Sequence, residues 1–144
     1  TLATVSITVQ TAFEEWVGDG GTPGGDSNND GIADGLAWVL GANGPSSDAT
    51  DLLPTGDIVS ETDYFIYTYR RSDAAHNDGN TTIEVEYGSD LSSWTPAVDD
   101  GSNVIITETD DHYAPGVDRV EVKLHWNLAV EDKMFTRLKV TIAP

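Results

Sequence analysis

The spacing of apolar residues changes from a helical period to strict alternation about halfway along the chain. In the first half, stretches with helical spacing predict two short helices, over residues 11–17 and 35–40. Thr11 can cap the first helix, and the acidic residues of its first turn suit the helix dipole. Glycine-rich residues 18–34 separate the two helices. The sequence therefore predicts a helix–loop–helix segment over residues 11–45.

Alternating apolar and polar residues predict five β-strands in the second half, after a polar connection at residues 46–60. The predicted strands cover residues 64–71, 81–87, 104–109, 117–126 and 134–142. They follow one another through short turns without intervening helices, which is typical of antiparallel sheets. We therefore predict a mainly β fold, in which the helix–loop–helix segment packs against an antiparallel β-sandwich over residues 61–144.

The first ten residues have a pattern of their own. Val5, Ile7 and Val9 alternate with polar residues, which predicts a strand within residues 1–10. That strand belongs either to this domain or to the end of a preceding one. The length of the chain is near the commonest size for one domain, so residues 1–144 are predicted to form a single domain.

The loop between the predicted helices places oxygen-bearing side chains at alternate positions, which is how a tight loop surrounds Ca²⁺. The predicted calcium ligands are the side chains of Asp26, Asn28, Asp30 and Asp34 and the backbone carbonyl of Ile32. Gly31 stands at the sixth position, where the chain must turn sharply. An ordinary surface turn without metal is the alternative, because Asn, Asp and Gly also dominate turns.

The predicted calcium loop lacks one ligand of a complete EF-hand. That motif closes its site with a bidentate Glu at position twelve, where this chain has Ala37. A water molecule, Asp34, Asp19 or Glu15 could take the vacant ligand position. The loop resembles EF-hand and dockerin loops, and it resembles the thrombospondin type 3 repeat more closely, because an Asp stands at its ninth position.

The chain is strongly acidic, with 25 acidic and 7 basic residues and a net charge of −18. Such a charge repels phosphate backbones and anionic membranes, so nucleic acid is not an expected partner. Residues 1–69 contain eleven acidic residues and no Lys or Arg. Calcium would neutralise part of this field. A solvated acidic face, typical of salt-tolerant secreted proteins, explains the total charge as well.

No catalytic motif is visible, and we expect the protein not to be an enzyme. The sequence has no cysteine, which excludes disulfides and thiolate metal sites. Its three histidines lie far apart, and no nucleophile elbow, P-loop or dinucleotide fingerprint is present. No apolar run approaches the length of a membrane span, so membrane insertion is not expected. The chain begins with Thr1, which suggests a fragment of a longer secreted protein whose sorting signal lies upstream.

Several segments resemble a C-terminal module of large secreted proteins from environmental bacteria. They are residues 13–16, 26–41, 65–72, 85–95 and 135–140, and they are spread along most of the chain. The modules they resemble occur on autotransporter-like repeat proteins and on polysaccharide-active enzymes. The resemblance implies a secreted, non-catalytic part of a larger protein, and it does not identify a ligand.

Two aromatic residues are candidates for a carbohydrate-binding surface. Trp94 follows a predicted strand and Tyr113 lies in a predicted turn, so both are well placed to be exposed and to stack on sugar rings. Phe65, Tyr67 and Tyr69 share one face of a strand, where core packing is the favoured interpretation. The remaining tryptophans, Trp16, Trp38 and Trp126, are predicted to lie in the core.

Five basic residues fall on strands and are predicted on polar faces. They are Arg71, Arg119, Lys123, Arg137 and Lys139. If their strands are neighbours, these residues could form a cationic patch for a sulfated or uronic polysaccharide. Cross-strand pairing with Glu84, Glu86 and Glu121 is the favoured alternative.

The leading functional prediction is a non-catalytic, calcium-stabilised extracellular module that binds carbohydrate for its parent protein. Its expected partners are a polysaccharide or cell-surface glycan and other domains of that parent. A cell-surface sorting or attachment module is the second hypothesis. A passive spacer or folding cap is the third.

Overall fold

The computed structural model of the chain describes residues 3–144. Within them the fold is mainly β, with two antiparallel sheets and a few short helices. The helices are α1 (Ala12–Val17), α2 (Asp34–Val39) and α3 (Asp73–His76), with short 3₁₀ turns at Thr50–Leu52 and Trp126–Leu128. The strands are β1 (Thr55–Asp57), β2 (Tyr64–Ser72), β3 (Thr81–Gly88), β4 (Thr95–Pro96), β5 (Val104–Ala114), β6 (Val117–His125) and β7 (Phe135–Ile142).

The strands pair in two sheets, and two of the five strand pairs join strands that are distant in the sequence. The first sheet has the order β1-β2-β6-β5, and the second has the order β4-β3-β7. Strands β2 and β6 pair along their whole length, from Tyr64 opposite His125 to Ser72 opposite Val117. Strands β3 and β7 also pair along their whole length. Each sheet is therefore centred on one long antiparallel pair.

The apolar faces of the two sheets share one core. Tyr69 of β2 and Val120 of β6 are buried there together with Val85 of β3. Phe65 and Tyr67 pack against the same cluster. The prediction that the aromatic row of β2 lies in the core is confirmed. Burial of this row removes large aromatic surfaces from water and accounts for much of the driving force that holds the sheets together.

The helices form a second core at the end of the three-stranded sheet. Phe13 of α1, Trp38 of α2 and Ala75 of α3 are buried together, and Ile142 of β7 packs against them. Gly35 allows this close packing, because a Cβ there would lie 3.0 Å from the side chain of Ile142. The segment that carries the predicted calcium loop is thereby fixed to the second sheet.

Helix α1 begins with a capping box. The N–H of Glu14 donates to the hydroxyl of Thr11 at 3.2 Å, and the N–H of Thr11 donates to the Glu14 carboxylate at 2.8 Å. This reciprocal pair satisfies two N–H groups that a helix start leaves without partners. The prediction of Thr11 as the N-cap is confirmed.

The predicted N-terminal strand differs from the structure. Residues 3–10 form neither helix nor strand, and Val5, Ile7 and Val9 are 79%, 83% and 87% exposed. The alternation is real, but no strand in the part of the chain that the structure describes accepts their backbone hydrogen bonds, which a strand requires. The rest of the predicted strand, residues 1 and 2, lies outside the described residues.

The end of strand β6 also differs from the prediction. The strand stops at His125, and Trp126 lies in a 3₁₀ turn with 36% of its surface exposed, so its assignment to the core was wrong. The His125 imidazole Nδ1 accepts the N–H of Asn127 at 3.1 Å, which turns the chain out of the sheet. Among residues 3–144, no helix is long and apolar enough to cross a lipid bilayer.

Candidate functional site

The predicted calcium loop is folded by hydrogen bonds from its backbone to its own side chains. The two carboxylate oxygens of Asp26 accept the N–H groups of Asp30 at 3.1 Å and of Gly31 at 2.9 Å. The side-chain oxygen of Asn28 also accepts from the N–H of Asp30, at 3.1 Å. Gly31 has a φ of 88°, a left-handed conformation that favours glycine. The loop therefore turns sharply at its sixth position, as its sequence predicts.

Asp30 connects the loop to a more distant part of the chain. One of its carboxylate oxygens accepts the N–H of Ile32 and the other accepts the N–H of Ala49, both at 2.8 Å. The pKa of Asp30 lies below its ordinary value, mainly because the N–H of Ala49 stabilises the charged carboxylate. Partial burial acts in the opposite direction and raises the pKa. Asp30 is therefore a stable carboxylate at neutral pH.

A second tether runs from the loop to the same connection. The side-chain amide of Asn28 donates to the carbonyl of Ser47 at 2.7 Å and to the Asp30 carboxylate at 3.0 Å. Ala49 is fully buried and packs with Ala37 and Ala42. The loop thus organises the connection between α2 and β1. Sequence reasoning missed this role, because nothing in the spacing relates residues so far apart.

Asp34 has a different environment from the other predicted ligands. It is buried, and its two carboxylate oxygens accept the N–H and the hydroxyl of Ser27, at 3.1 Å and 2.7 Å. Its own N–H donates to the carbonyl of Gly25 at 2.7 Å. Asp34 therefore closes the base of the loop.

The donor set fits a hard cation in part. Each oxygen of Asp26 and the side-chain oxygen of Asn28 accepts one hydrogen bond, which leaves each a lone pair for a metal. One oxygen of Asp30 also accepts a single hydrogen bond and keeps a lone pair. Ala37, at position twelve, is buried in α2 and offers no ligand. Within residues 3–144 no three His or acidic side chains gather closely enough to hold a metal alone, so the site would also need the amide oxygen, a backbone carbonyl and water.

The two candidate sugar-binding aromatics are not brought together. Trp94 precedes β4 of the second sheet, whereas Tyr113 lies on β5 of the first. The guanidinium of Arg137 lies 4.2 Å from the centre of the Trp94 ring, and that of Arg70 lies 4.0 Å from the centre of the Tyr113 ring. Each ring therefore has an arginine against one face.

Tyr113 also lies in a different element from the one predicted. Strand β5 extends to Ala114, past the predicted end at residue 109, and its pairing with β6 shifts register between Thr109 and Ala114. Asp111 adopts a φ of 49° at this irregularity, which is typical of a β-bulge. The predicted turn is thus a bulged strand, and Tyr113 is 37% exposed on it.

Most of the basic residues on the strands are paired. Arg137 binds Glu86 at 2.6 Å, and Lys139 lies 3.4 Å from Glu84 and 3.3 Å from Glu86. The hydrogen bond from Arg137 is the main cause that lowers the pKa of Glu86. Lys123 binds Glu61. The favoured expectation of cross-strand pairing is confirmed for Glu84 and Glu86.

A cleft of about 270 Å³ lies between the two sheets. Buried Tyr69 and Arg71 line it from β2. The guanidinium of Arg71 makes two hydrogen bonds to Glu108, at 2.7 and 3.0 Å, and one to Asp118 at 3.0 Å. Sequence reasoning placed Arg71 on a polar face and missed this cleft. The signal was available, because Arg71 is two residues after Tyr69 and strand alternation puts both on one face.

Comparison with protein-family models, with curated proteins and with solved structures finds no match for this chain. The residues of the loop, the two candidate aromatics and the cleft are therefore the basis for assigning a function. Of the two aromatics, Tyr113 is exposed as predicted, whereas Trp94 is half-buried.

Proposed function

We propose that this chain is a calcium-stabilised, non-catalytic extracellular module, built as an antiparallel β-sandwich, that binds carbohydrate for a larger secreted protein. The observation that carries the proposal is the set of shared hydrogen bonds that draws Asp26, Asn28 and Asp30 together around the turn at Gly31. Carboxylate and amide oxygens with free lone pairs are the ligands that Ca²⁺ prefers in proteins.

In this proposal Asp26, Asn28 and Asp30 hold the ion with their side chains, and Ile32 holds it with its carbonyl. Asp34 completes the ligand set, with its carboxylate oriented by Ser27. When bound, Ca²⁺ neutralises part of the negative charge of the first half of the chain. A loop with few charged ligands suits the millimolar calcium found outside cells.

Calcium stabilisation would reach beyond the loop itself. The side chains of Asn28 and Asp30 already bind the backbone of Ser47 and Ala49. An ion that orders these side chains therefore also orders the connection that leads into β1. This coupling supports a structural role for the metal and not a catalytic one.

The carbohydrate-binding part of the proposal is supported by the surroundings of Trp94. Arg137 stacks on its ring and binds Glu86, which Lys139 also binds. An aromatic ring beside charged hydrogen-bonding groups suits a sugar, whose C–H face stacks while its hydroxyls form hydrogen bonds. Tyr113, with Arg70 against it, offers a smaller surface of the same kind.

A sorting, attachment or spacer module is the second candidate. It is favoured by the exposed alternating side chains of Val5, Ile7 and Val9, which another domain of the parent protein could cover. In that case calcium would still stabilise the fold, but no glycan would be bound.

The calcium part of the proposal is tested by thermal unfolding at neutral pH with added CaCl₂ and with a chelator. An ion that binds only the folded state at about a hundred times its dissociation constant adds about 2.7 kcal/mol to the free energy of unfolding. We expect a clear upward shift of the melting temperature in calcium. Superimposable melting curves would rule out the proposed site, and equal shifts with Mg²⁺ at the same concentration would show a general charge effect.

A further inference from the structure

Two arginines lie directly opposite each other on the outer face of the four-stranded sheet. Arg70 of β2 is the register partner of Arg119 of β6, and the next pair along, Tyr69 and Val120, is buried in the core. Because successive side chains of a strand alternate between its two faces, both arginines lie on the face away from the core. Directly opposite residues have Cβ atoms about 4.5–5.5 Å apart. The two guanidinium groups therefore extend from neighbouring points of one surface.

Neither of these arginines has a carboxylate partner among the described residues. Four of the seven basic residues form ion pairs, namely Arg71, Lys123, Arg137 and Lys139. Within residues 3–144 no carboxylate lies at ion-pair distance from Arg70 or Arg119, and this includes Glu121, two residues further along the same face of β6. Like charges directly opposite each other destabilise a sheet, so an anion bound between them would remove this repulsion.

The nitrogens that would bind an anion reach the surface. Both arginines are half-buried. Nε of Arg119 is buried and has no part in the site, but the terminal nitrogens of Arg70 and Arg119 are not among the buried atoms without a partner in residues 3–144. The terminal N–H groups of a guanidinium form a planar fork that matches the oxygens of a carboxylate or a similar oxyanion. Two such forks side by side are suited to one anionic group.

Tyr113 brings an aromatic ring to the same place. The guanidinium of Arg70 lies 4.0 Å from the centre of this ring. Strand β6 lies between β2 and β5, so the side chain of Arg70 extends across the strand that carries Arg119 to reach Tyr113. Tyr113 is 37% exposed, which leaves part of its ring open to the C–H face of a sugar. The surface thus combines two cationic donors with a ring that can contact a sugar.

The charge of the whole chain limits the size of the anion that can bind here. Its net charge of −18 repels a densely charged polymer. Interactions between exposed charges, however, are largely screened beyond about 8 Å at physiological ionic strength. A single oxyanion between the two guanidinium groups therefore meets mainly the local positive charge. A sugar that carries one such group fits this surface, whereas nucleic acid does not.

We propose that Arg70 and Arg119 bind the oxyanion of an acidic sugar, either the carboxylate of a uronic acid or a sulfate ester, while Tyr113 contacts the sugar ring. The proposal rests on the carbohydrate-binding role proposed above, and it names the class of glycan for the surface at Tyr113. The ring of Trp94 is not part of this site, because the arginine against it already binds Glu86.

The test is a set of titrations of the ¹⁵N-labelled chain, followed by the shifts of its backbone amides. Methyl glucuronide and methyl glucoside are a matched pair that differs in the carboxylate, and glucose 6-sulfate carries a sulfate ester at the same carbon. Inorganic sulfate shows whether an oxyanion binds without a sugar. N-acetyl-phosphoserine methylamide shows whether an oxyanion on a peptide binds instead.

The variants Arg70→Gln and Arg119→Gln each remove one guanidinium from the site. Lys133→Gln is the matched control, because Lys133 is exposed, lies before β7 and also forms no ion pair within residues 3–144. Arg70→Lys and Arg119→Lys keep the charge but lack the planar fork, so they separate geometry from charge. Thermal unfolding shows whether each variant is folded like the wild type, and the lysine variant replaces any glutamine variant that is not.

We expect methyl glucuronide or glucose 6-sulfate to shift the amides of Arg70, Arg119 and Tyr113 in a saturable way. Methyl glucoside should bind about tenfold more weakly or worse, because it lacks the charge-assisted hydrogen bonds. Each arginine variant should weaken binding of the acidic sugar, by about tenfold for the glutamine variants, and Lys133→Gln should leave it nearly unchanged. The tighter of the two acidic sugars identifies the preferred oxyanion.

Several outcomes would overturn the proposal, and they separate it from the proposed function. Shifts confined to the surroundings of Trp94, or methyl glucoside binding as tight as that of the acidic sugars, reject the oxyanion site and keep the carbohydrate-binding role. No shift with any sugar, together with no retention on polysaccharides, rejects both. Inorganic sulfate or the phosphoserine compound binding as tightly as the acidic sugars rejects a sugar site. An equal loss of affinity in Lys133→Gln shows a general charge effect and also rejects it.

Discussion

The carboxylate of Asp34 binds both polar groups of Ser27, the N–H at 3.1 Å and the hydroxyl at 2.7 Å. Asp34 is 2% exposed, and its own N–H donates to the carbonyl of Gly25. The base of the loop is therefore closed by groups of the chain itself. This closure fixes the ends of the segment that carries Asp26 and Asp30, which would preorganise the proposed calcium site.

The first prediction concerns this closure. In the presence of a chelator, Asp34→Ala should lower the free energy of unfolding by about 1–3 kcal/mol, because the N–H of Ser27 loses its partner. Ser27→Ala removes only the hydroxyl bond and should cost about 1 kcal/mol. Urea unfolding followed by tryptophan fluorescence measures both. If Ser27→Ala were the more harmful change, Asp34 would not have the closing role described here.

The second prediction concerns calcium affinity. Asp30→Ala should weaken calcium binding far more than Asp78→Ala, although an aspartate precedes a glycine at both positions. The N–H of Asp30 donates to the side-chain oxygen of Asn28, and the amide of Asn28 donates to the Asp30 carboxylate. The carboxylate of Asp78, in contrast, accepts from the hydroxyl of the nearby Thr81 at 2.6 Å. Isothermal titration calorimetry gives the dissociation constants.

The two aspartate variants remove the same charge, so they are matched controls for each other. Equal loss of affinity in both would mean that calcium responds to the total charge of the chain and not to a site. Since Asp30 also binds the N–H of Ala49, the folded fraction of Asp30→Ala is checked by circular dichroism before each titration.

The third prediction is a loss of stability in acid. The pKa of Glu86 is lowered, mainly by the hydrogen bond from Arg137, and that of Glu108 is lowered, mainly by Arg71. In the acid range the unfolded chain then binds more protons than the folded chain, so stability is complete above the ordinary glutamate pKa of about 4.3. It falls as the pH drops below that value toward the lowered pKa of the folded state.

The variant Glu86→Gln should flatten this acid decline, since one linked group is removed. Urea unfolding in chelator between neutral and strongly acid pH measures the slope for both proteins. An acid decline of the same steepness in the variant would mean that Glu86 is not one of the linked groups. Wild type at neutral pH should be the more stable of the two, because the ion pair with Arg137 is lost in the variant.

The fourth prediction concerns retention on insoluble polysaccharides and on a glycan array. Removal of a stacking ring from a binding centre typically costs more than about 2 kcal/mol, so Trp94→Ala should abolish a modest affinity. Tyr113→Ala is assayed beside it, and because the two rings belong to different sheets, a single surface site should lose binding in only one of the variants. A wild type that no glycan retains would place the attachment role ahead of carbohydrate binding.

The sequence predicts the longer helices and strands well, because the spacing of their apolar residues matches the faces that are buried in the structure. The predicted helices at residues 11–17 and 35–40 correspond to α1 and α2, and the five predicted strands correspond to β2, β3, β5, β6 and β7. Strands β1 and β4 and helix α3 were not predicted. They are too short to show a period, and they depend on neighbours, as β4 depends on β3.

The candidate site was predictable only where its contacts join residues that are close in the sequence. Alternate spacing correctly groups Asp26, Asn28 and Asp30, which contact one another through short-range hydrogen bonds. The same spacing does not show that the carboxylate of Asp34 accepts a hydrogen bond from the hydroxyl of Ser27. The partners of Arg71 come from two other strands, so only the pairing of the sheet reveals them.

The order of the strands also determines when the central strand pairs can form during folding. Strand β2 pairs with β6, and three strands lie between them in the chain, while β3 pairs with β7, again with three strands between. Neither central pair can close until most of the second half has been synthesised. Chains rich in such distant pairings fold on the order of milliseconds to seconds. The entropy cost of closing a long loop comes before the paired strands contribute any stabilising free energy. Until β7 is available, β3 therefore lacks its full-length partner and the second sheet cannot be completed.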